Sequence, residues 1–470
     1  VKMKKILYLA MMVLLTASSA MAQEFDTDVP TGWAVVPGYA DSASGLKTTT
    51  GGAGGQVVTA TSGSELASYA SGEEPRIILV QGTLTGSDVD VGSNKTIIGM
   101  GSDTLISGFY LNMNGSKNII IRNLNITGGT DGIAARHTDH LWIDHCNLYR
   151  TGDGLIDITR ESDRYTITWS AFSDHHKTML LNGGSKHFDD AGKLNGTVHH
   201  NWFDGSDTRN PRAGFGKIHV FNNKYDNNGY CIGLHSGCLV VAERNYFENT
   251  KNPIRQMYTS DPSDGEYGSA LEIDNICDNC SGGYDDDGKG FNVSDYYLHD
   301  FILDPASSVP MIVEPKAGPA EEYATIGLMP TPGQGAVGVD YTTLSWKTGI
   351  ASPDSYIVYF GTTTNPPQVA TTTSESYDAG SLEEGVIYYW RVDQVTSDGT
   401  IPGKLWTFRA KGTSGGPTQT PTQTPTPTPT STPTWTWMWV STPMSTAMSI
   451  SCARIGLATR FGRGPSVEAM

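Results

Sequence analysis

The chain has 470 residues, a length that allows two or three domains. Its formal net charge of -17 disfavours a nucleic-acid partner, which would call for a basic surface. With 54 glycines and 24 prolines, the composition favours a turn-rich β architecture over a bundle of helices.

Residues 1–22 have the pattern of a secretory signal peptide. Three lysines near the start supply positive charge, residues 6–15 are apolar, and the sequence Ala-Met-Ala at 20–22 offers a cleavage site. The apolar run is too short to span a bilayer, which disfavours a membrane anchor. We therefore expect a secreted protein with no membrane association after cleavage.

Short strand-like segments recur between residues 121 and 247 with a period near 22 residues. Each segment closes on a large apolar side chain, and successive closing residues are 22, 24, 31, 22 and 22 positions apart. These residues are Ile126, Leu148, Phe172, Phe203, Tyr225 and Phe247. Asn or His often stands two or three places earlier, where it can adopt left-handed backbone angles and bond to the adjacent coil.

This period is typical of one coil of a right-handed parallel β-helix, in which each coil pairs with the next. A β-sandwich is the alternative, but its connections would not repeat at a fixed interval. We therefore predict an all-β chain with a parallel β-helix over residues 23–317. Two long coils contain insertions, at 150–153 and 183–196, and solenoids place such insertions as loops, often on the binding face.

Six cysteines are present, and an exported protein can form disulfides. Cys231 lies close to Cys238 in the sequence, and Cys277 lies close to Cys280. Disulfides or free thiols are the favoured interpretation, and a zinc site is the alternative. Cys146 stands in an apolar strand and is interpreted as a small core residue.

The sequence pattern changes after residue 317. Residues 318–410 alternate apolar and polar side chains between turn signals, which predicts a small β-sandwich of the fibronectin type III kind. Its aromatic residues are interpreted as core, with stacking on sugar rings as the alternative. They are Trp346, Tyr356, Tyr388, Trp390 and Trp406.

Residues 411–434 are rich in Pro and Thr and predict an extended linker. The tail at 435–470 has an excess of Trp and Met and a single acidic residue, and no domain is assigned to it. A shifted reading frame near residue 434 is one hypothesis for this composition. Anchoring to a cell surface or a complex through the C-terminal region is another expectation, and we expect a monomer.

Four ordered motifs resemble the pectate lyases of polysaccharide lyase family one. They are WIDHC at 142–146, DGLIDI at 153–158, TITWSAFSDHHKTML at 166–180 and RNPRAGFGKIHVFNN at 209–223. The resemblance extends from about residue 45 to 300. It implies a parallel β-helix and calcium-dependent cleavage of polygalacturonate by β-elimination.

By motif position, the resemblance implies that Asp131, Asp153 and Asp157 are ligands of Ca²⁺. Oxygen ligands without His or Cys favour this hard ion over zinc. A bound cation would also let an acidic protein hold an acidic polymer. The family often has another acidic ligand where this chain has Gly129, so we expect weak calcium binding until substrate carboxylates complete the site.

The resemblance also implies that Arg209 is the catalytic base and that Lys177 contacts the substrate carboxylate or oxyanion. Arginine is an unusual base because a guanidinium pKa exceeds about 12, so activity should rise at alkaline pH. Arg212 is the predicted second substrate contact, and His176 is a further candidate. Many relatives have another arginine at the position of Gly214, so one contact is replaced or missing here.

Two further pairs of residues are interpreted as structural. Asp144 and His145 should bond within the turn and the neighbouring coil, and Asp189 and Asp190 should be solvated loop residues. The rival functions are a pectin lyase acting on methyl-esterified polymer and a non-catalytic β-helix that binds polysaccharide. The three aspartates argue against the first rival, and the lysine and arginines argue against the second.

Overall fold

The computed structural model describes residues 25–38, 46–184, 186–257, 267–321, 327–347 and 353–412. The predicted signal peptide, the tail and the predicted linker from residue 413 onward lie outside the described residues. Among the helices that are described, none combines the length and the apolar character needed to cross a membrane.

Among the described residues, the first part of the chain contains twenty-seven short strands and helix α1 (Gly63–Ala70). The strands are β1 (Gln56–Ala60), β2 (Arg76–Val80), β3 (Thr83–Thr85), β4 (Val89–Asp90), β5 (Lys95–Gly99), β6 (Leu105–Ser107), β7 (Leu111–Asn114), β8 (Lys117–Arg122), β9 (Asn125–Thr127), β10 (Ile133–Arg136), β11 (Asp139–Asp144), β12 (Asn147–Tyr149), β13 (Ile156–Thr159), β14 (Asp163–Thr168), β15 (Ala171–Ser173), β16 (Met179–Leu181), β17 (Gly196–His199), β18 (Trp202–Asp204), β19 (Arg212–Gly214), β20 (Lys217–Phe221), β21 (Lys224–Asp226), β22 (Ile232–His235), β23 (Leu239–Glu243), β24 (Tyr246–Glu248), β25 (Ile254–Gln256), β26 (Ser269–Ile273) and β27 (Ile276–Asp278).

These strands form three parallel sheets of ten, nine and eight strands, and the chain visits the sheets in turn. In one coil, β11 belongs to the ten-stranded sheet, β12 to the nine-stranded sheet and β13 to the eight-stranded sheet. Each strand pairs with the strand one coil later, which satisfies its backbone hydrogen bonds. The predicted parallel β-helix is confirmed.

The six closing residues of the sequence repeat form one column inside the solenoid. Leu148 pairs in register with Ile126 and Phe172, and the column continues to Phe247 with every member fully buried. The rings of Phe172, Phe203 and Tyr225 stack with centroids 5.1 and 4.8 Å apart. The 22-residue period therefore corresponds to in-register stacking of core side chains.

Two adjacent positions of each polar turn have different roles. The left-handed position accepts varied side chains: its members are Asn123, His145, Trp169, His200, Asn222, Arg244 and Asp274. The next position holds a buried ladder, in which Asn201 donates to Asn223 and Asn223 donates to Asn245, each over 3.0 Å. The left-handed angle and the side-chain ladder, expected at one asparagine position, thus lie at neighbouring positions.

Nine further strands and helix α2 (Val309–Val313) complete the described chain. The strands are β28 (Met329–Thr331), β29 (Ala336–Val339), β30 (Thr343–Lys347), β31 (Ser355–Gly361), β32 (Gln368–Thr372), β33 (Ser376–Asp378), β34 (Ile387–Thr396), β35 (Gly399–Ile401) and β36 (Trp406–Ala410). Five short 3-10 helices lie at Gly32–Val35, Phe188–Asp190, Val293–Asp295, Asp300–Ile302 and Ala306–Ser308.

The C-terminal strands form one sheet of three strands and one of six, with a shared apolar core. Trp346, Trp390 and Trp406 are at most 1% exposed in this core, and Tyr356 and Tyr388 are also buried, which confirms the core interpretation of the aromatic residues. The same cluster includes four buried residues of the ten-stranded sheet: Ile77, Ile98, Ile120 and Trp142.

The described cysteines are free thiols. Cys146 is fully buried in the solenoid core, as predicted, and burial raises its pKa to about 12. Within the described part of the chain, no cysteine belongs to a group of three ligands suited to a metal, so the zinc alternative for the cysteines finds no geometric support. Cys452 lies outside the described residues.

Candidate active site

The predicted site residues lie at one corner of the solenoid, where the chain turns into the eight-stranded sheet. Asp131 precedes β10, Asp153 precedes β13, Lys177 precedes β16 and Arg209 precedes β19. These four strands are consecutive neighbours in the sheet. Residues separated by 22, 24 and 32 positions in the sequence are therefore brought onto four stacked coils.

Strand alternation points the remaining site residues outward. On β13, Ile156 and Ile158 face the core, so Asp157 between them faces away from it. On β19, Ala213 is in the core, so Arg212 lies on the outer face. Asp157 and Arg212 both pair with Leu180, which places them two strands apart, about 10 Å.

Oxygen atoms of Asp131 and Asp157 converge on Gly154. Asp131 Oδ1 accepts a hydrogen bond of 3.1 Å from the Gly154 amide. A Cβ at Gly154 would lie only 2.8 Å from Asp157 Oδ1 and 3.6 Å from Asp131 Oδ1. The space between these carboxylates therefore has no room for a protein side chain.

The two carboxylates also repel each other. Burial raises the pKa of Asp131, and the charge of Asp153 raises it further. Burial, followed by the charge of Asp131, raises the pKa of Asp157 to about 6. Paired carboxylates of this kind, with oxygen donors only, suit a hard divalent cation such as Ca²⁺.

Asp153 is held by Lys177. Its Oδ1 lies 2.5 Å from Lys177 Nζ, and this hydrogen bond lowers the pKa of Asp153. Both side chains are partly exposed, with 38% for Lys177 and 58% for Asp153. The three aspartates supply oxygen donors only, but in the described part of the chain they do not form a group with all ligand atoms within 4.8 Å of one another, and Lys177 holds one oxygen of Asp153.

A groove of about 570 Å³ runs beside these residues. Asp157, Arg209 and Arg212 line it, and the charge of Arg209 counteracts the rise in the pKa of Asp157. Burial lowers the pKa of Arg212. The groove thus places two guanidinium groups beside the carboxylates, an arrangement that can bind an acidic ligand by charge and hydrogen bonds.

The comparisons with known proteins agree on one family. The model of the family described as pectate lyase matches residues 6–275, more than half of the chain. The chain belongs to the pectate lyase family.

Relatives and solved structures are consistent with this membership. A pectate trisaccharide-lyase of Bacillus licheniformis is 36% identical over 238 residues, which are 46% of this chain and 69% of that protein. Pectate lyase A of Emericella nidulans is 34% identical over 239 residues, which are 47% of this chain and 72% of that protein. The pectate lyase of Bacillus sp. N165, solved with trigalacturonate, has a TM-score of 0.51 and 26% identity, covering 62% of this chain and 98% of that one.

Not every predicted site residue lines the groove. His176 is exposed, and its Nδ1 lies 2.7 Å from Asp207 Oδ2. Its neighbour His175 lies 2.9 Å from the Thr151 hydroxyl through Nε2. His176 therefore pairs with an acidic partner and is not among the residues that line the groove, and its role in substrate binding stays a prediction.

Two arginines of the groove escaped the sequence analysis. Arg136, on β10, lies in register with Thr159 and lines the groove together with Arg160. Strand alternation was the available signal for Arg136, because Ala135 faces the core and the exposed Arg136 follows it. Neither arginine belongs to the motifs that carried the resemblance.

The insertion at 183–196 forms part of the groove wall, with Gly183 and His187 among the lining residues. Asp189 is exposed, as expected. Asp190 is fully buried, so the prediction of a solvated residue is wrong. Its carboxylate accepts hydrogen bonds from the amides of Glu161 and Gly183 and so ties the loop to the preceding coil.

Asp144 and His145 have the predicted structural role. Asp144 is 1% exposed and lies 2.8 Å from Arg122 Nε, 2.7 Å from His145 Nδ1 and 2.6 Å from the Thr168 hydroxyl. These contacts lie on the ten-stranded sheet, away from the eight-stranded sheet that carries the groove. The pair therefore serves the packing of the coils.

Proposed function

We propose that this protein is a secreted, calcium-dependent pectate lyase of polysaccharide lyase family one that cleaves polygalacturonate by β-elimination. The observation that carries the proposal is the convergence of Asp131 and Asp157 on Gly154, beside a groove lined by Arg209 and Arg212. Family membership and the trigalacturonate complex of one relative support the same substrate class.

Asp131, Asp153 and Asp157 would hold the Ca²⁺ ion, with Asp153 joining when Lys177 releases it. The chemistry that Ca²⁺ supplies when bound is polarisation of the uronate carboxylate, which acidifies the proton on carbon five. Lys177, once released, is free to bind the substrate carboxylate. Lys177 would thus exchange the carboxylate of Asp153 for that of the substrate. This exchange would couple the entry of the substrate to the completion of the cation site.

Arg209 is the proposed base, and its turn position before β19 places it beside Asp153 and Asp157. Its guanidine, in the neutral form, takes the proton from carbon five. The electron pair of that bond forms the double bond to carbon four, and the bond from carbon four to the glycosidic oxygen breaks. The departing oxygen takes a proton from water, and Arg212 holds the acidic substrate during the step.

A direct assay tests this proposal. Tag-free protein is mixed with polygalacturonate, and the ultraviolet absorbance of the unsaturated product is followed with calcium and with EDTA. We expect calcium-dependent product from the native chain and a large loss in Asp157→Asn. Asp398→Asn, which changes an exposed carboxylate that does not line the groove, is the matched control.

Other outcomes of the assay would replace the proposal. Product from methyl-esterified polymer alone, without calcium, would indicate a pectin lyase. Binding of polymer without any product would indicate a non-catalytic polysaccharide-binding β-helix. Product that persists in EDTA and in Asp157→Asn would contradict the role given to the aspartates.

Secretion and the C-terminal region complete the proposal. The signal pattern at 1–22 supports export, and the two-sheet unit with its tryptophan core supports a fibronectin type III-like module. The Pro/Thr-rich stretch supports a linker toward an anchoring function. Fractionation of a culture tests export, and retention of all the protein inside the cells would contradict it. N-terminal sequencing of protein from the medium tests cleavage, and a start within residues 1–22 would contradict the predicted signal peptide.

A further inference from the structure

A second cluster of potential ligands lies on the ten-stranded sheet, on a different face from the groove. It consists of His219 on β20, Glu243 on β23, and His299 in the segment that follows the solenoid strands. His219 is fully buried, Glu243 is 8% exposed and His299 is 7% exposed. The cluster therefore joins two adjacent strands to a chain segment that packs over them.

The ligand atoms of this cluster are close together. His219 Nε2 and His299 Nε2 lie 3.1 and 3.2 Å from Glu243 Oε2. The three atoms are within 4.8 Å of one another, and this is the one group of its kind in the described part of the chain. Separations near 3.2 Å match those between ligands of a tetrahedral ion bound at about 2.0–2.1 Å.

Glu243 is the acidic member of the cluster. Its described partners are the two imidazole rings, and no Lys or Arg pairs with it among the described salt bridges. Its Oε2 lies within 3.2 Å of both ring nitrogens, so an ion held by the rings would also meet a carboxylate oxygen. A divalent cation there would gain an oxygen ligand in addition to the two nitrogens.

Surrounding groups orient the rings for coordination. His219 Nδ1 lies 3.0 Å from the Tyr297 hydroxyl, which lies 2.9 Å from the Thr197 hydroxyl. In the tautomer in which His219 Nδ1 donates to Tyr297, the lone pair of Nε2 is left for a metal. The His299 ring meets the His219 ring edge to face, with centroids 4.9 Å apart.

We propose that His219, Glu243 and His299 form a structural site for a divalent transition-metal ion, with Zn²⁺ as the expected occupant. Two imidazole nitrogens and one carboxylate oxygen suit zinc, whereas Ca²⁺ takes oxygen ligands. The ion would fasten the segment around His299 to β20 and β23. The site is independent of the calcium site and of the reaction proposed above.

Metal analysis of the native chain is the first test. Tag-free protein is equilibrated with Zn²⁺, freed of excess ion by gel filtration and analysed for metals. We expect about one tightly held zinc per chain, a higher melting temperature with zinc, and its reversal by a transition-metal chelator but not by a calcium-selective one. Absence of stoichiometric zinc would show that the three side chains form a metal-free hydrogen-bond network.

Variants assign the ion to these residues. Glu243→Gln and His299→Gln should lower zinc affinity by more than about 100-fold. His200→Gln is the matched control, because His200 is buried nearby but pairs with Asp304. Zinc retained in both cluster variants would overturn the proposal. Should those variants fail to fold, the native chain is loaded with Co²⁺ and its visible spectrum is recorded. A spectrum without the absorption bands of Co²⁺ bound by imidazole would also overturn the proposal.

Discussion

At the scale of one residue, Asp157 shows how burial and a neighbouring charge shift the pKa of a site carboxylate. Its pKa of about 6 results from burial and from the charge of Asp131. Because this pKa is raised in the folded state, ionisation of Asp157 lowers stability above about pH 6, and the cost disappears below the unfolded pKa near 4. A bound cation would offset the same cost at neutral pH.

We therefore expect Asp157→Asn to stabilise the calcium-free protein. The free energy of unfolding should rise by about 1–2 kcal/mol at neutral pH, with no gain below about pH 4. Denaturant titrations in EGTA at several pH values measure this difference. Asp189→Asn is the control, and an equal gain in that variant would show that net charge, rather than the site, is responsible.

Arg209 gives a second prediction at this scale. Arg209→Lys should lower turnover by about 100-fold or more while leaving the melting temperature unchanged. If this residue is the base, the alkaline rise of the residual activity should move to lower pH, because lysine has a lower pKa than arginine, about 10.4. The pH profile of turnover measures the shift, with Arg244→Lys on another turn of the solenoid as control. A profile of unchanged shape would contradict the role of a base.

At the scale of the element, the turn before β10 leaves little room for a side chain at Gly129. A Cβ at Gly129 would lie 2.7 Å from the Phe109 carbonyl carbon and 2.8 Å from its oxygen. These are backbone atoms of the preceding coil, so a side chain cannot enter without shifting that coil. The close approach of these two turns therefore disfavours the further acidic ligand that the family resemblance implies at this position.

Gly129→Asp should therefore destabilise the protein by about 1–3 kcal/mol without tightening calcium binding. Thermal unfolding and calcium titration by calorimetry measure the two effects. Gly327→Asp is the control, since a Cβ there meets no atom within 4 Å. Tighter calcium binding at unchanged stability would show that the turn can adapt and that glycine is not required.

At the scale of the whole molecule, the C-terminal sheets cover an apolar face of the solenoid. Ile77, Ile98, Ile120 and Trp142 share a core with the tryptophans of the C-terminal unit. The segment near residue 26 crosses between them: Trp406 Nε1 donates to Asp26 over 2.8 Å, and Asp28 pairs with both Arg122 and Lys404. The C-terminal unit is therefore part of the structural support of the lyase domain.

A chain that ends at residue 317 should lose solubility and melting temperature, because four large apolar side chains of the ten-stranded sheet become exposed. Light scattering and thermal unfolding measure this loss. A chain that ends at residue 412 keeps the described contacts and is the control. Equal stability of the two truncated chains would contradict a supporting role for the C-terminal sheets.

The sequence by itself determined the solenoid, its core column and the corner where the site lies. A repeated spacing can be interpreted without long-range information, because each coil repeats the inward and outward alternation of the last one. Ile126, Leu148 and Phe172 therefore define a stack before any coordinates are known. The register of the coils then brings the aspartates, Lys177 and Arg209 to the same corner of the solenoid.

Only the tertiary structure decided which of these groups pair. The bond between Lys177 and Asp153, the burial of Asp190 and the meeting of His299 with Glu243 depend on side-chain directions and on segments packed from elsewhere in the chain. The repeat pattern does not specify such contacts, because it fixes the order of the coils but neither the direction of a side chain at a turn nor the segments that pack over the coils. Their energies arise from burial and charge, which exist only after the coils and the covering segments have come together.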